Sequence, residues 1–331
     1  MLTQPRAASP PLRHTDRIPH RRDDNKGEPV AGEIQYDPQG LQALNFALAA
    51  IVFSVALHLR LSELRAVLAA PRVVAAGLAA QWLLLPALTL ALILLLRPEP
   101  AFAAGMMLIA ACPGGSVSNY FVLVARGNAL LSVGLTSFST LACVLSTPLI
   151  FAAGMALLPA AAENTPLAVP LSAMLSLLVW TVLLPLLAGV AVQALLPALA
   201  DRLRAPSRWL AGLLLAAIIG IGFFNNAELL GDWRLAPMLL MVIVHNALAL
   251  AGGYGLARLT RCPEPEARAI TLETGIQNAG LGLILIFNFY PETGAMMTLV
   301  ATWGVWHLVA GAALSRWWRG RPLPEPEARP T

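Results

Sequence analysis

From about residue 41 onward the chain alternates long apolar runs with short joints carrying Arg, Pro, Asn and Gly. Val73 to Leu96 and Pro237 to Leu256 contain no Asp, Glu, Lys or Arg at all. A bilayer-crossing helix needs about 20 predominantly apolar residues, so each run reads as a span. Nine are expected, over roughly Leu41–Leu59, Val73–Leu96, Ala101–Ala125, Ala129–Leu157, Val169–Leu196, Pro206–Leu230, Leu235–Leu256, Ala267–Tyr290 and Thr293–Trp317. Lipid offers no hydrogen bonds to an open backbone, so the spans are helices and the chain is an all-α membrane protein. Residues 1–38 break the pattern. They hold Pro, Arg and Asp without an apolar run, lack the about 7–15-residue stretch of a secretory signal, and read as a disordered N-terminal tail. Residues 39–318 form the transmembrane domain of about nine helices, and 319–331 a C-terminal tail.

Composition agrees. Of 331 residues 57% are hydrophobic and 12% charged, about half the charge of a soluble domain. The formal charge of +4 signals no nucleic-acid partner, because the basic residues sit where spans end and set topology. Fourteen arginines fall on one side: Arg60, Arg65, Arg72, Arg126, Arg202, Arg204, Arg208, Arg258, Arg261, Arg268, Arg316, Arg319, Arg321 and Arg329. Opposite them, outside the tail, stand only Arg97 and Arg234. The first side is therefore read as cytoplasmic, with the C-terminus inside and the N-terminus outside. The tail's six basic residues are balanced by six acidic ones. Cys112, Cys143 and Cys262 lie far apart, without a CxxC pair, so neither a zinc site nor a disulfide framework is indicated.

Two spans are unlike the rest. The third is interrupted by Cys112-Pro113-Gly114-Gly115-Ser116-Val117-Ser118-Asn119, and the eighth carries Glu273-Thr274-Gly275-Ile276-Gln277-Asn278-Ala279-Gly280. Proline removes a backbone donor and paired glycines weaken a helix. Freed backbone groups at membrane depth survive only in a protein interior or a wet cavity, so such a break marks a site more often than a plain kink. Of eighteen acidic residues only Glu273 lies well inside a span, and an ionisable group there is functional by default. Gln277 follows one turn later on the same face. Ser132, Thr136 and Ser139 share a face of the fourth span, Gln81 is the polar residue of the second, and His307 stands alone in the last. The hydroxyls and Gln81 by themselves read as interhelical glue, and a lone histidine is more often structural than a ligand. Taking spans one to four and six to nine as two sets, the interrupted helix is third in each, and corresponding members run oppositely. That is the mark of an inverted-repeat secondary transporter, with its site where two broken helices meet.

CPGGSVSN, the ARGNALLSVGLTSFST run and ETGIQNAG together resemble the bile acid:sodium symporter family, over about residues 41 to 317. The resemblance implies core and panel domains and two helices crossing at unwound midpoints, with two Na⁺ behind the crossing. Carried over by motif, Ser118, Asn119, Ser132, Thr136 and Glu273 would hold one ion. Gln81, Glu273, Gln277 and the carbonyls of Thr274 and Ile276 would hold the other. The chain departs from ten-helix bacterial members, whose extra N-terminal helix is replaced here by the polar tail, and it has Ser116 where many members have Thr.

The expected function is sodium-coupled import of a small organic anion, a carboxylate or bile-acid-like molecule, across the inner cell membrane by a monomer. Candidate substrate contacts are Ser116, Asn119, Asn278 and His307. An arsenite or other oxyanion exporter of a related family is the runner-up, since Cys112 and Cys143 could supply its thiols. No nucleophile–base pair supports an enzyme.

Overall fold

The computed structural model describes residues 38–57, 69–158, 169–225 and 236–321. The expected tail, up to residue 37, and the last ten residues lie outside them. Among the described residues the regular structure is helical throughout. The helices are α1 (Pro38–Ala56), α2 (Pro71–Leu96), α3 (Pro100–Ala111), α4 (Val117–Val124), α5 (Ala129–Ala156), α6 (Leu171–Leu195), α7 (Pro197–Asn225), α8 (Ala236–Leu259), α9 (Glu264–Gly275), α10 (Ala279–Phe289) and α11 (Gly294–Arg319). Five of these, α2, α5, α6, α8 and α11, are long and apolar enough to cross a membrane. Large apolar side chains such as Leu83, Leu95, Trp180 and Leu195 face outward, each more than two-thirds exposed. A water-facing surface would not carry so many. The third and eighth expected spans are each two helices, α3 with α4 and α9 with α10.

Prolines shape the long helices. Both α2 and α6 widen into one turn of π-helix, at Ala80–Leu84 and Val179–Leu183, just before Pro86 and Pro185. A proline ring displaces the carbonyl four residues back, and the wide turn accommodates it. Gln81 sits on the first of these turns.

The sixth span differs from expectation. Its start is expected at about Pro206, but α7 begins at Pro197 and carries Pro206 within it. Arg204 explains the extension: its Nε donates to the carbonyl of Leu57 at 3.0 Å, at the end of α1. The charged turn thus closes a helix end rather than breaking a helix. Nearby, the hydroxyls of Ser54 and Ser207 meet at 3.2 Å.

Helices α1, α6 and α7 pack on one another. A Cβ on Gly189 of α6 would lie 2.5 Å from that of Ala56 in α1, so a glycine sets this close approach. The remaining helices gather around the two breaks, with α8 and α11 against α9, and α2 and α5 against α9 and α3.

Candidate functional site

Helix α3 stops because of Pro113. Cys112, the residue before it, is extended at φ −68° and ψ 153°, as a pre-proline residue prefers. Helix α9 stops at Gly275, and Ile276 is extended at φ −116° and ψ 97°. The two extended stretches pair antiparallel, Gly114 opposite Gln277. Gly115 N–H donates to the Ile276 carbonyl and Asn278 N–H to the Pro113 carbonyl, both at 2.8 Å. These reciprocal bonds satisfy four backbone groups that the breaks would otherwise orphan. The carbonyl of Ala111, at the end of α3, is taken by the Thr147 hydroxyl at 2.8 Å.

The glycines are required by proximity. A Cβ at Gly114 would lie 2.6 Å from Glu273 Oε2, and one at Gly115 would lie 3.0 Å from the Gln277 carbonyl oxygen. Beyond the crossing, Asn278 caps α10 by accepting from Leu281 N–H at 3.0 Å.

Glu273 is completely buried. Three hydroxyls converge on its carboxylate. Ser118 and Ser132 donate to Oε1, the latter at 2.5 Å, and Thr136 contacts Oε1 at 2.9 Å and Oε2 at 2.8 Å. Asn119 Oδ1 lies 2.7 Å from Ser132 Oγ and 3.3 Å from Thr136 Oγ1. Ser139, expected on the same face of α5, turns instead to the Thr136 carbonyl of its own helix.

Each hydroxyl carries one proton, so three protons serve six oxygen–oxygen contacts. Lone pairs are in surplus at one point, as hard-cation chemistry requires.

A second polar group lies around Gln81. Gln81 Nε2 is 3.4 Å from where a Gly114 Cβ would stand, on the same side as the Glu273 carboxylate, and Gln81 Oε1 is buried without a partner, as is Gln277 Oε1. Gln277 Nε2 turns back to its own helix and donates to the Thr274 carbonyl at 2.8 Å. Leaving such atoms unsatisfied costs about 1–3 kcal/mol each.

The remaining candidates are dispersed by exposure. Ser116 is exposed, while Asn119 and Asn278 are half-buried. His307 is buried on α11 with Nδ1 unpartnered. It shares a face with Gly311, where an added Cβ would stand 2.9 Å from Ile276 and Phe121, so this face of α11 lies over the crossing.

The profile of the Sodium Bile acid symporter family matches residues 45–233. The chain is 30% identical over 276 residues to an uncharacterised sodium-dependent transporter of Bacillus subtilis (strain 168), covering 82% of this chain and 81% of that one. The chain belongs to the sodium bile acid symporter family. It is therefore a sodium-dependent membrane transporter of a small molecule and not an enzyme. It is also 28% identical over 280 residues to a probable chloroplastic sodium/metabolite cotransporter of Oryza sativa subsp. japonica, over 84% of this chain and 64% of that one. A sodium/bile acid cotransporter 4 of Mus musculus is 33% identical over 210 residues, 62% of this chain and 47% of that one.

Two buried residues of this symporter escape a motif reading. Asn246 of α8 donates from Nδ2 to the Gly275 carbonyl at 2.7 Å, and its Oδ1 has no partner. It thereby holds the last residue of α9. The signal for it was an Asn beside His245 in an otherwise apolar run. Arg268, read only as a topology charge, is 2% exposed. It donates to the carbonyls of Ala125 and Trp318 at 2.8 and 3.2 Å and pairs with Glu264 at 3.0 Å. One guanidinium thus joins the ends of α4, α9 and α11.

Proposed function

We propose that this chain imports a small organic anion together with two sodium ions, in a transmembrane domain spanning residues 39–318. The observation that carries the reading is the cluster of six oxygens sharing three protons around buried Glu273. The first ion is held by Ser118, Asn119, Ser132, Thr136 and Glu273. The second takes Gln81, Glu273, Gln277 and the carbonyls of Thr274 and Ile276. Those carbonyls already accept one hydrogen bond each, from Gln277 Nε2 and Gly115 N–H, and a carbonyl oxygen keeps a second lone pair. The partnerless side-chain oxygens of Gln81 and Gln277 are the groups such an ion would satisfy.

Two Na⁺ against one carboxylate leave a net positive charge, and a monoanionic substrate brings the site towards neutral, which matters at membrane depth. The N-termini of α4 and α10 add partial positive charge there. Ser116, Asn119, Asn278 and His307 face the substrate. Because Asn278 Oδ1 caps α10, its amide nitrogen is the group left to donate. Each Na⁺ yields roughly 1.4 kcal/mol from a tenfold gradient and about 2.3 kcal/mol from 100 mV. Two ions therefore drive concentrative uptake with about 7 kcal/mol, less the cost of moving the anion.

In the working arrangement α1, α6 and α7 form a panel and the other helices a core that carries the site. The N-terminus lies outside and the C-terminus in the cytoplasm of a cell-membrane protein acting as a monomer. Uptake of a panel of carboxylates, keto acids and bile acids into proteoliposomes tests the whole reading. Accumulation requires an inward sodium gradient; accumulation driven equally well by a proton gradient in sodium-free medium overturns it.

A further inference from the structure

Away from the crossing, α8, α9 and α11 enclose a cavity of about 790 Å³, within the range of about 300–1,000 Å³ typical of ligand sites. Its walls are small: Ala247 and Ala251 on α8 face Ala310 and Ala313 on α11. Both α8 and α11 are long and apolar enough to cross a membrane, so the furrow runs along two membrane-crossing helices. From Ala247 to Tyr254 it runs seven residues, about 10 Å along the helix at about 1.5 Å per residue.

The mouth has a different chemistry. Tyr254, Trp317, Trp318 and Arg321 line it, the aromatic and basic pairing found where a helix leaves the membrane. The Arg321 guanidinium lies over the Trp317 ring at 3.7 Å from its centre, and has no carboxylate partner among the described residues. Glu264 is the acid at this mouth, and it is already engaged by Arg268 at 3.0 Å, Arg258 at 3.6 Å and the Tyr254 hydroxyl at 3.0 Å. Two arginines against one glutamate, with Arg321 beside them, leave the mouth positively charged. An apolar furrow ending in aromatic rings and surplus positive charge is complementary to a molecule with an acyl chain and an anionic head.

We propose that this furrow binds a phospholipid with an anionic headgroup, its phosphate at Arg321 and one acyl chain between α8 and α11. Neither the comparisons with relatives nor the ion site assigns anything to it. Basic pockets between membrane helices take anionic lipid heads by this chemistry, and the furrow disfavours a soluble anion as the sole occupant because most of its wall is apolar. The back of the furrow is α9 itself, through Arg268 and Thr271, two residues before Glu273. The lipid therefore seats the half-helix that carries the buried carboxylate.

The test is lipid retention by the full chain purified in neutral detergent, read by native mass spectrometry. Phosphatidylglycerol is compared with phosphatidylcholine of the same acyl chains. Surplus charge near an anionic head supports a roughly tenfold preference for phosphatidylglycerol. Arg321→Glu should reduce that preference to near parity. Arg97→Glu, the same charge change just after α2 and across the membrane from Arg321 in the topology proposed above, should leave it intact and so separates this mouth from the general field of the protein. Ala313→Trp fills the furrow and should lower retention of both lipids, with a wild-type unfolding temperature in detergent as the folding control. An undiminished preference in Arg321→Glu overturns the proposal, as does undiminished retention in Ala313→Trp. Competition by glycerol 3-phosphate as strong as by phosphatidylglycerol also overturns it, because the site would then belong to a soluble phosphate.

Discussion

The two breaks in the membrane helices do different work although they meet at one point. The break between α3 and α4 is Pro-Gly-Gly and contributes backbone and space. The break between α9 and α10 has no proline and brings Glu273, Gln277 and Asn278. Neither could be exchanged for the other. The carboxylate needs the volume that a missing Cβ at Gly114 leaves, and the glycine loop needs the Ile276 carbonyl to bond its Gly115 N–H. One side is built to be empty and the other to be charged.

Five substitutions break or sharpen that contrast. The largest effect belongs to Glu273→Gln, which keeps size and removes the charge shared by both proposed ions. Sodium-dependent uptake should fall by more than about 100-fold, since a charged hydrogen-bonded cluster is worth several kcal/mol. Normal sodium activation would remove Glu273 from coupling. Gly114→Ala comes next. Its Cβ would fall 2.6 Å from Glu273 Oε2, so the carboxylate must move, and the half-saturating sodium concentration should rise by roughly tenfold or more. An unchanged sodium titration would show that the glycine serves only the turn.

Thr136→Ala removes one oxygen of the cluster. Substrate affinity should weaken at low sodium and recover at high sodium, by linkage, whereas Asn278→Ala should weaken it at all sodium concentrations. Titrating substrate affinity against sodium in both variants decides, and the reverse pattern would mean that the ion and substrate layers are interchanged. The smallest effect is expected for Asn246→Ala. Losing the donor to the Gly275 carbonyl costs about 1–3 kcal/mol and should raise the half-saturating sodium concentration several-fold at wild-type protein levels. A lower unfolding temperature with no change in sodium response would confine Asn246 to packing.

Much of this was legible in the sequence, for reasons that differ by element. The spans are legible because lipid tolerates few charges, and both breaks because proline, glycine and a lone carboxylate are conspicuous in apolar surroundings. The shared helix face of Thr136 and Ser132 is legible by their spacing, but their place beside Glu273 comes only from the resemblance. What the sequence does not carry is who meets whom across space. Arg204 reads as a topology charge in the joint before the sixth span, yet it lies inside α7 with its Nε on the Leu57 carbonyl of α1. Arg268 counts as a topology charge in any tally of arginines, and only the convergence of α4, α9 and α11 makes it a buried joint. Asn246 stands outside both motifs, and its role depends on a carbonyl 29 residues away.

The reciprocal pairing at the crossing has a consequence for direction. Exchanging Pro113 with Ile276 and Gly115 with Asn278 returns the same two bonds, so the backbone bonding of the junction has no front or back, although its side chains do. A carrier that couples its cargo only to gradients is not a ratchet, and a junction whose bonds read the same from either side adds no bias. Load the vesicle interior with sodium and substrate, and the same molecule should discharge both outward, with the sign of the flux written in the gradients alone.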